Sequence, residues 1–349
     1  MTTKIGLDLG YANLTISNVT AEVYREPSVV LVDKNTRQVI SVGARAALSE
    51  GDATGGMLVR PFKNGLLYSS DLTREIIKHA VSAVEGADKI RCVIALPSDF
   101  IPKQESEIFK MLSQAGVSES CSVTPAIAAL IGAGYSPSIS AVSVNIGAVA
   151  TEIAVVHKGN ILFSIRELIG GEDFDKAVKQ FIFEQGDMTV SLLIARTIKE
   201  SLGAVWQGRP SESIDIEGTL SLTGSRVKMS LSTEDIVGVF EQPLKKLLET
   251  IANAVKKIPI ECVEDIFENG IILTGGGAQI YGLDTMIEKV FGISVTMPSS
   301  PIDSVSKGLA RINAFIPAKS RINGKNITSQ LAKLYESKQQ SKSNKGTKK

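Results

Sequence analysis

Cysteine and histidine are scarce in this chain of 349 residues, with three of the first and two of the second. Cys92, Cys121 and Cys262 are scattered, and His79 and His157 lie far apart. No metal-ligand spacing and no disulfide framework results, which predicts packed cysteines in a reduced compartment. Long apolar runs are missing too. The most apolar stretch, 126–134, is about half of what a membrane-spanning helix needs. The N-terminus, MTTKIGLDLG, enters an apolar strand at once and lacks the three regions of a signal peptide, so a cytoplasmic protein is expected. Nor is there an excess of one charge: 38 Lys and Arg face 37 Asp and Glu.

That neutrality is an average over two unlike parts. Residues 319–349 hold nine Lys and Arg against one acid, Glu336, a net of +8, which leaves −7 of the overall +1 for the body. In the tail, Ile327, Leu331, Leu334 and Tyr335 fall on one face of a short helical segment, followed by a Lys-, Ser- and Gln-rich end. Such an end is expected to be disordered in water, and each Lys near an anionic leaflet contributes on the order of 1 kcal/mol. An anionic membrane is therefore the expected partner of the tail, against a purely solubilising role. Nucleic acid is not expected, because Tyr335 is the segment's one stacking residue and no recognition module is present.

The body reads as α/β. Its length exceeds what one core usually organises, which predicts two lobes. Strand signals at 4–9, 14–19, 28–32 and 38–42 are separated by Gly, Asn, Asp or Pro. Leu72, Ile76, His79, Ala80 and Ala83 recur at helical spacing over 71–84, and a strand at 90–96 and a helix at 102–115 follow. The second half restarts the pattern: the strand and turn ending in Asn145, Ile146 and Gly147, with a returning strand at 151–156, mirror Asp8, Leu9, Gly10 and 14–19 at an offset of 137 residues. Helical segments at 187–202 and 234–257 lead to a third strand and glycine turn at 270–277.

Small residues at such turns let several backbone N–H groups converge on phosphate oxygens. Three turns qualify: Gly10, Tyr11, Ala12 and Asn13; Gly147, Ala148, Val149 and Ala150; and Gly275, Gly276 and Gly277 with Thr274 and Ala278. Any one alone is as well read as a tight turn, but three in order, two of them in duplicated units, predict a nucleotide cleft.

With segments 6–13, 26–30, 128–134, 170–175, 270–282 and 308–310, the chain resembles the actin superfamily and within it the bacterial MreB family. The resemblance implies a duplicated fold of four subdomains around a nucleotide cleft. Residues 1–30, 70–140 and 311–330 would form subdomain IA, 31–69 IB, 141–178 and 270–310 IIA, and 179–269 IIB, with 331–349 as the basic tail. It implies ATP or ADP with Mg²⁺ as cofactors, and head-to-tail filaments paired as antiparallel double strands. Asp8 would hold the metal through water, Gly10 to Asn13 the β- and γ-phosphates, Gly275 to Gly277 the adenosine, and Lys199 would approach the base or ribose. Other MreB paralogues would be further partners, and the inner membrane face the site of action.

The sequence also departs from that pattern. Pro125 stands where the family has its water-activating Glu, Asn145 replaces a metal-side Asp, and Ala150 replaces a Thr that helps place water. Thr124, one position away, is the one weak candidate left for orienting water. A positioned acid or base is worth roughly 10² to 10⁴ in rate, so very slow ATP turnover is expected, as in the hydrolysis-poor paralogues of wall-less helical bacteria. Val149 is expected to reshape its turn, since β-branched residues fit poorly at positive φ. Two rivals remain: a non-polymerising ATP-binding regulator of other filaments, and a small-molecule kinase using Glu152 or Asp173 as base.

Overall fold

The computed structural model describes residues 2–49, 56–86, 88–316 and Lys333; the rest of the tail, with Ile327, Leu331, Leu334 and Tyr335, lies outside the described residues. Two five-stranded sheets carry the fold. In the first, Thr2–Leu9 is central: it pairs antiparallel with Asn13–Ser17, which pairs antiparallel with Glu22–Pro27, and on its other side it runs parallel to Lys89–Ala95, itself parallel to Val117–Val123. The second repeats this plan. Ala141–Ile146 pairs antiparallel with Thr151–His157 and then Asn160–Glu167, and parallel with Ile271–Thr274 and then Val295–Thr296. The duplication extends to register, because Asp8 faces Thr15 and Asn145 faces Glu152, each pair offset by the same 137 residues. This is the expected duplicated α/β, actin-like fold.

Each sheet buries a core of its own, and a third core lies between them. Helix Pro125–Gly132 and helix Ser304–Phe315 cross there, with residues of both sheets packed against them. Their contact depends on small residues: a Cβ at Gly308 would fall 1.7 Å from the Ala128 carbonyl oxygen, and one at Gly132 equally close to that of Ser304.

Several elements differ from the sequence expectations. Helix Ser70–Ser82 buries Thr73, Ile76, Ile77, Ala80 and Val81, so its inner face is rotated from the expected one, and His79 and Ala83 are exposed. His79 instead reaches Glu26 at 3.4 Å and sets its ring edge against Tyr24. The helix expected over 187–202 starts at Leu192, because Ser191 caps it by accepting the Ile194 N–H at 3.2 Å, and Met188–Thr189 is a strand. The one expected over 234–257 is two helices, Thr233–Ile236 and Glu241–Val255, separated at Gly238 with φ of +86°. Strand Glu22–Pro27 and the hairpin Ser213–Leu220 with Arg226–Ser232 had no counterpart in the expectations.

Candidate functional site: a cleft between the repeated sheets

Parallel strands end on the same side of a sheet, so the loops that follow them gather at one edge, the usual place for ligands in α/β folds. Here Thr2–Leu9, Lys89–Ala95, Ala141–Ile146 and Ile271–Thr274 all end at a cavity of about 740 Å³, within the range of small-molecule sites. All three small-residue turns line it: Gly10 to Asn13, Gly147 to Ala150, and Gly275 to Gly277.

The first turn is held open by its neighbours. Ser28 donates its hydroxyl to the Gly10 carbonyl at 2.6 Å, and Arg60 donates to the Tyr11 carbonyl at 2.9 Å while lying 4.9 Å from the Tyr11 ring centroid. In the second, the Gly147 N–H donates to the Ala150 carbonyl at 2.9 Å, and the Gly147 and Ala148 carbonyls accept the N–H groups of Gly171 and Glu172 that open helix Gly171–Gly186. None of the four residues of this turn has positive φ, so Val149 is not held in the left-handed region. The third turn does need glycine. Gly275 has φ of +86°, and a Cβ there would lie 2.3 Å from the Ile146 carbonyl oxygen, so the turn packs directly on the strand end beside it.

Asp8 lies on the cavity wall, and burial lifts its carboxyl from the ordinary 3.8 to about 6 against a downward pull from Arg25. Arg25 is itself held by Glu22 at 2.8 Å and by Asp303. Among the described residues no group of three acids, histidines or cysteines forms a metal cage. A desolvated carboxyl beside a glycine turn instead suits Mg²⁺, which is usually held by one or two carboxylates, several waters and substrate phosphates. Asn145, also on the wall, is uncharged, and its Oδ1 lies 3.4 Å from the Thr274 hydroxyl.

Lys199 lines the cavity but is already engaged, ion-paired with Asp175 at 2.6 Å and donating to the Gly171 carbonyl at 3.1 Å. Arg196 makes the second contact to Asp175, at 3.2 Å, and Asp175 is fully buried. Pro125 is on the wall at the first turn of its helix. Thr124 is not among the lining residues; its buried hydroxyl has no hydrogen-bond partner and leaves the helix start uncapped. Asp173 accepts the Gly170 N–H at 2.9 Å, which commits it to capping its own helix.

Two wall residues carry more than the sequence suggested. Glu152, only 4% exposed, accepts the Ser98 N–H at 3.2 Å, and its other oxygen has no partner. Burial raises its carboxyl from 4.5 to about 7, opposed by the Ser98 N–H and then by Arg166. Arg166 was not singled out at all. The signal that identifies it is spatial, in partners that lie 67 and 102 residues away.

Comparison with known proteins agrees with the fold. The family model for MreB/Mbl protein matches residues 2–321. The cell shape-determining protein Mbl of Bacillus cereus is 28% identical over 313 residues, covering 87% of this chain and 93% of its own length. The cell shape-determining protein MreB of Escherichia coli is 27% identical over 317 residues, covering 87% and 91%. Among solved structures, MreB5 of Spiroplasma citri bound to ADP superposes with a TM-score of 0.82 at 23% identity, covering 87% of this chain and 94% of that one. The MamK double helical filament gives 0.77 at 22%, covering 91% and 100%. With its family model matched across both sheets and the cleft between them, the chain belongs to the MreB/Mbl family of bacterial actins.

Proposed function

We propose that the chain is a nucleotide-binding cytoskeletal actin that assembles into filaments for cell shape or motility and turns ATP over very slowly. The observation that carries this reading is the convergence of three small-residue turns, from two copies of one sheet plan, on a single cavity beside the buried carboxyl of Asp8. Gly10, Tyr11, Ala12 and Asn13 would face the β- and γ-phosphates from one lobe and Gly147, Ala148 and Val149 from the other. Gly275, Gly276 and Gly277 would line the nucleoside, and Lys199, braced by Asp175, the base or ribose side. Bound Mg²⁺, held by Asp8 through water, would offset the phosphate charge. Related proteins support the assignment: MreB5 of Spiroplasma citri has structures with ADP and with AMPPNP, and MamK forms a double helical filament.

Slow turnover follows from what faces the cavity. Phosphoryl transfer to water needs the water aligned and the developing charge met. Pro125 offers no side-chain donor or acceptor, Asn145 no charge, and Ala150 no hydroxyl. Phosphate release by purified protein with Mg·ATP, beside Pro125→Glu and Thr124→Ala, tests this: the Glu variant should be faster than the unmodified protein and Thr124→Ala unchanged. Turnover at the rate of a Glu-bearing relative in the unmodified protein would refute it.

Assembly is carried in the same proposal as head-to-tail strands paired antiparallel, with the four-subdomain division and with other MreB paralogues as co-assemblers. The +8 tail would attach the filament to the inner face of an anionic membrane. Electron microscopy with and without nucleotide separates a polymer from a regulator that stays monomeric. Equal pelleting with anionic liposomes before and after removal of 337–349 would exclude the tail.

A further inference from the structure

One cation on the cavity wall is tied to both halves of the molecule. Arg166 lies on Asn160–Glu167, an edge-side strand of the second sheet, with its side chain 6% exposed. One terminal nitrogen donates to Asp99 at 3.0 Å and the other to the Asn64 carbonyl, while Nε lies 3.5 Å from Glu152. The same Glu152 oxygen accepts the Ser98 N–H. Ser98 and Asp99 follow Lys89–Ala95 of the first sheet, and Asn64 belongs to the small hairpin Phe62–Lys63 with Leu66–Leu67.

The hairpin is built to meet the guanidinium. Asn64 and Gly65 have φ of +53° and +76°, the two positive angles of a type I′ turn, which leaves the Asn64 carbonyl facing Arg166. A Cβ at Gly65 would stand 2.7 Å from the Arg166 terminal nitrogen and 3.9 Å from Val149 of the second turn. Gly65, Val149, Glu152 and Arg166 all line the cavity, so this crossing closes the end at which the phosphates are proposed to lie.

We propose that Arg166 is a latch across the cleft: bound nucleotide leaves only after Arg166 releases Asp99 and the Asn64 carbonyl. The inference rests on the nucleotide reading above. Two features make the contact releasable rather than a fixed core pair. Asp99 is half-exposed and can be rehydrated, and the closed arrangement leaves the second Glu152 oxygen buried without a partner, a desolvation cost that opening relieves. The rigid guanidinium fork points its two terminal nitrogens at Asp99 and at the Asn64 carbonyl with Nε toward Glu152, a fixed spread that a compact ammonium does not span, so Lys should keep only part of the latch.

The test uses the full chain as wild type, Arg166→Ala and Arg166→Lys, each checked for an unchanged far-UV spectrum. Amide exchange without nucleotide reads the latch directly, and displacement of a fluorescent ADP analogue by excess ADP reads its effect on release. In Arg166→Ala, exchange over 62–67 and 97–101 should quicken at least tenfold and release at least tenfold, with Arg166→Lys between. Unchanged exchange in folded Arg166→Ala overturns the latch. Faster exchange with unchanged release overturns the gating while nucleotide binding stands. Protection of both segments in a wild type that binds no ADP analogue sinks the nucleotide reading, and gating with it. If the Ala variant does not fold, Arg166→Lys, or Gly65→Ala crowding the same guanidinium from the hairpin, decides on the same two readouts.

Discussion

Replacing Glu152 by Gln should flatten the pH dependence of this protein's stability. The carboxyl sits on the returning strand of the second small-residue turn with one oxygen bonded to the Ser98 N–H, Arg166 nearby and the other oxygen unpartnered. Burial is the largest influence and lifts it from 4.5 to about 7; the Ser98 N–H and Arg166 pull it down, and Asp99 pushes it up. Between those values the folded protein keeps a proton that the unfolded chain has released, so the folded state binds more protons there. Its stabilising share is complete below 4.5 and is lost as pH rises through about 7. At roughly 1.4 kcal/mol for each tenfold change in protonation, the loss approaches about 3 kcal/mol, a large fraction of a typical domain's stability. Gln has nearly the same shape, keeps an acceptor for Ser98 and is neutral throughout. Urea unfolding of both proteins from pH 4.5 to 8, in EDTA and without nucleotide, provides the measurement. Asp8, also raised by burial, titrates in both and cancels in the difference. Parallel curves for the two proteins would refute the reasoning, since they would mean that Glu152 titrates alike folded and unfolded.

Gly308→Ala should destabilise the fold by about 3 kcal/mol, the upper end for overpacking a core, because its methyl group would land on the Ala128 carbonyl at the crossing of two helices; a thermal melt at the wild-type temperature would contradict this. Asp175→Ala should cost about 3 kcal/mol or more by leaving Lys199 and Arg196 without their shared buried carboxylate. Urea unfolding checks it, and because Lys199 lines the cavity, affinity for an ADP analogue should fall with it.

What the sequence made legible is what local chemistry determines. Asp8, Leu9 and Gly10 and their counterparts Asn145, Ile146 and Gly147 announce themselves as apolar strands running into small-residue turns, and the offset between them survives as identical register in the two sheets. The face of helix Ser70–Ser82 was read only in part, because Ile76 and Ala80 belong both to the expected row and to the buried face, and only the sheet beneath decides that Thr73, Ile77 and Val81 complete it in place of His79 and Ala83. Strands Ser213–Leu220 and Arg226–Ser232 alternate exposed polar residues with half-buried ones and so carry too little apolar signal. Arg166 was invisible for a different reason. Its role depends on Asp99 and Asn64, which nothing in the local sequence connects to it.

The duplicated register also shows what an acid at Asn145 would meet. Each hairpin keeps one carboxylate, but at exchanged positions: Asp8 faces Thr15 in the first, and Asn145 faces Glu152 in the second. Side chains paired in this way have Cβ atoms about 4.5–5.5 Å apart, so Asn145→Asp would set two buried carboxylates side by side. Like charges that close raise each other's pKa, and Glu152 already stands at about 7. In EDTA at pH 8 the variant should therefore be less stable than wild type by about 1 kcal/mol, the upper end of the scale for cross-strand pairs, because both carboxyls are buried. Mg²⁺ with ADP should return much of that loss, because a cation at the Asp8 side would then face two acids. Urea unfolding under the two conditions measures both effects. Equal stability in EDTA would show that the two side chains do not share a desolvated wall, and a deficit that Mg²⁺ with ADP leaves untouched would remove the cation from this side of the cleft.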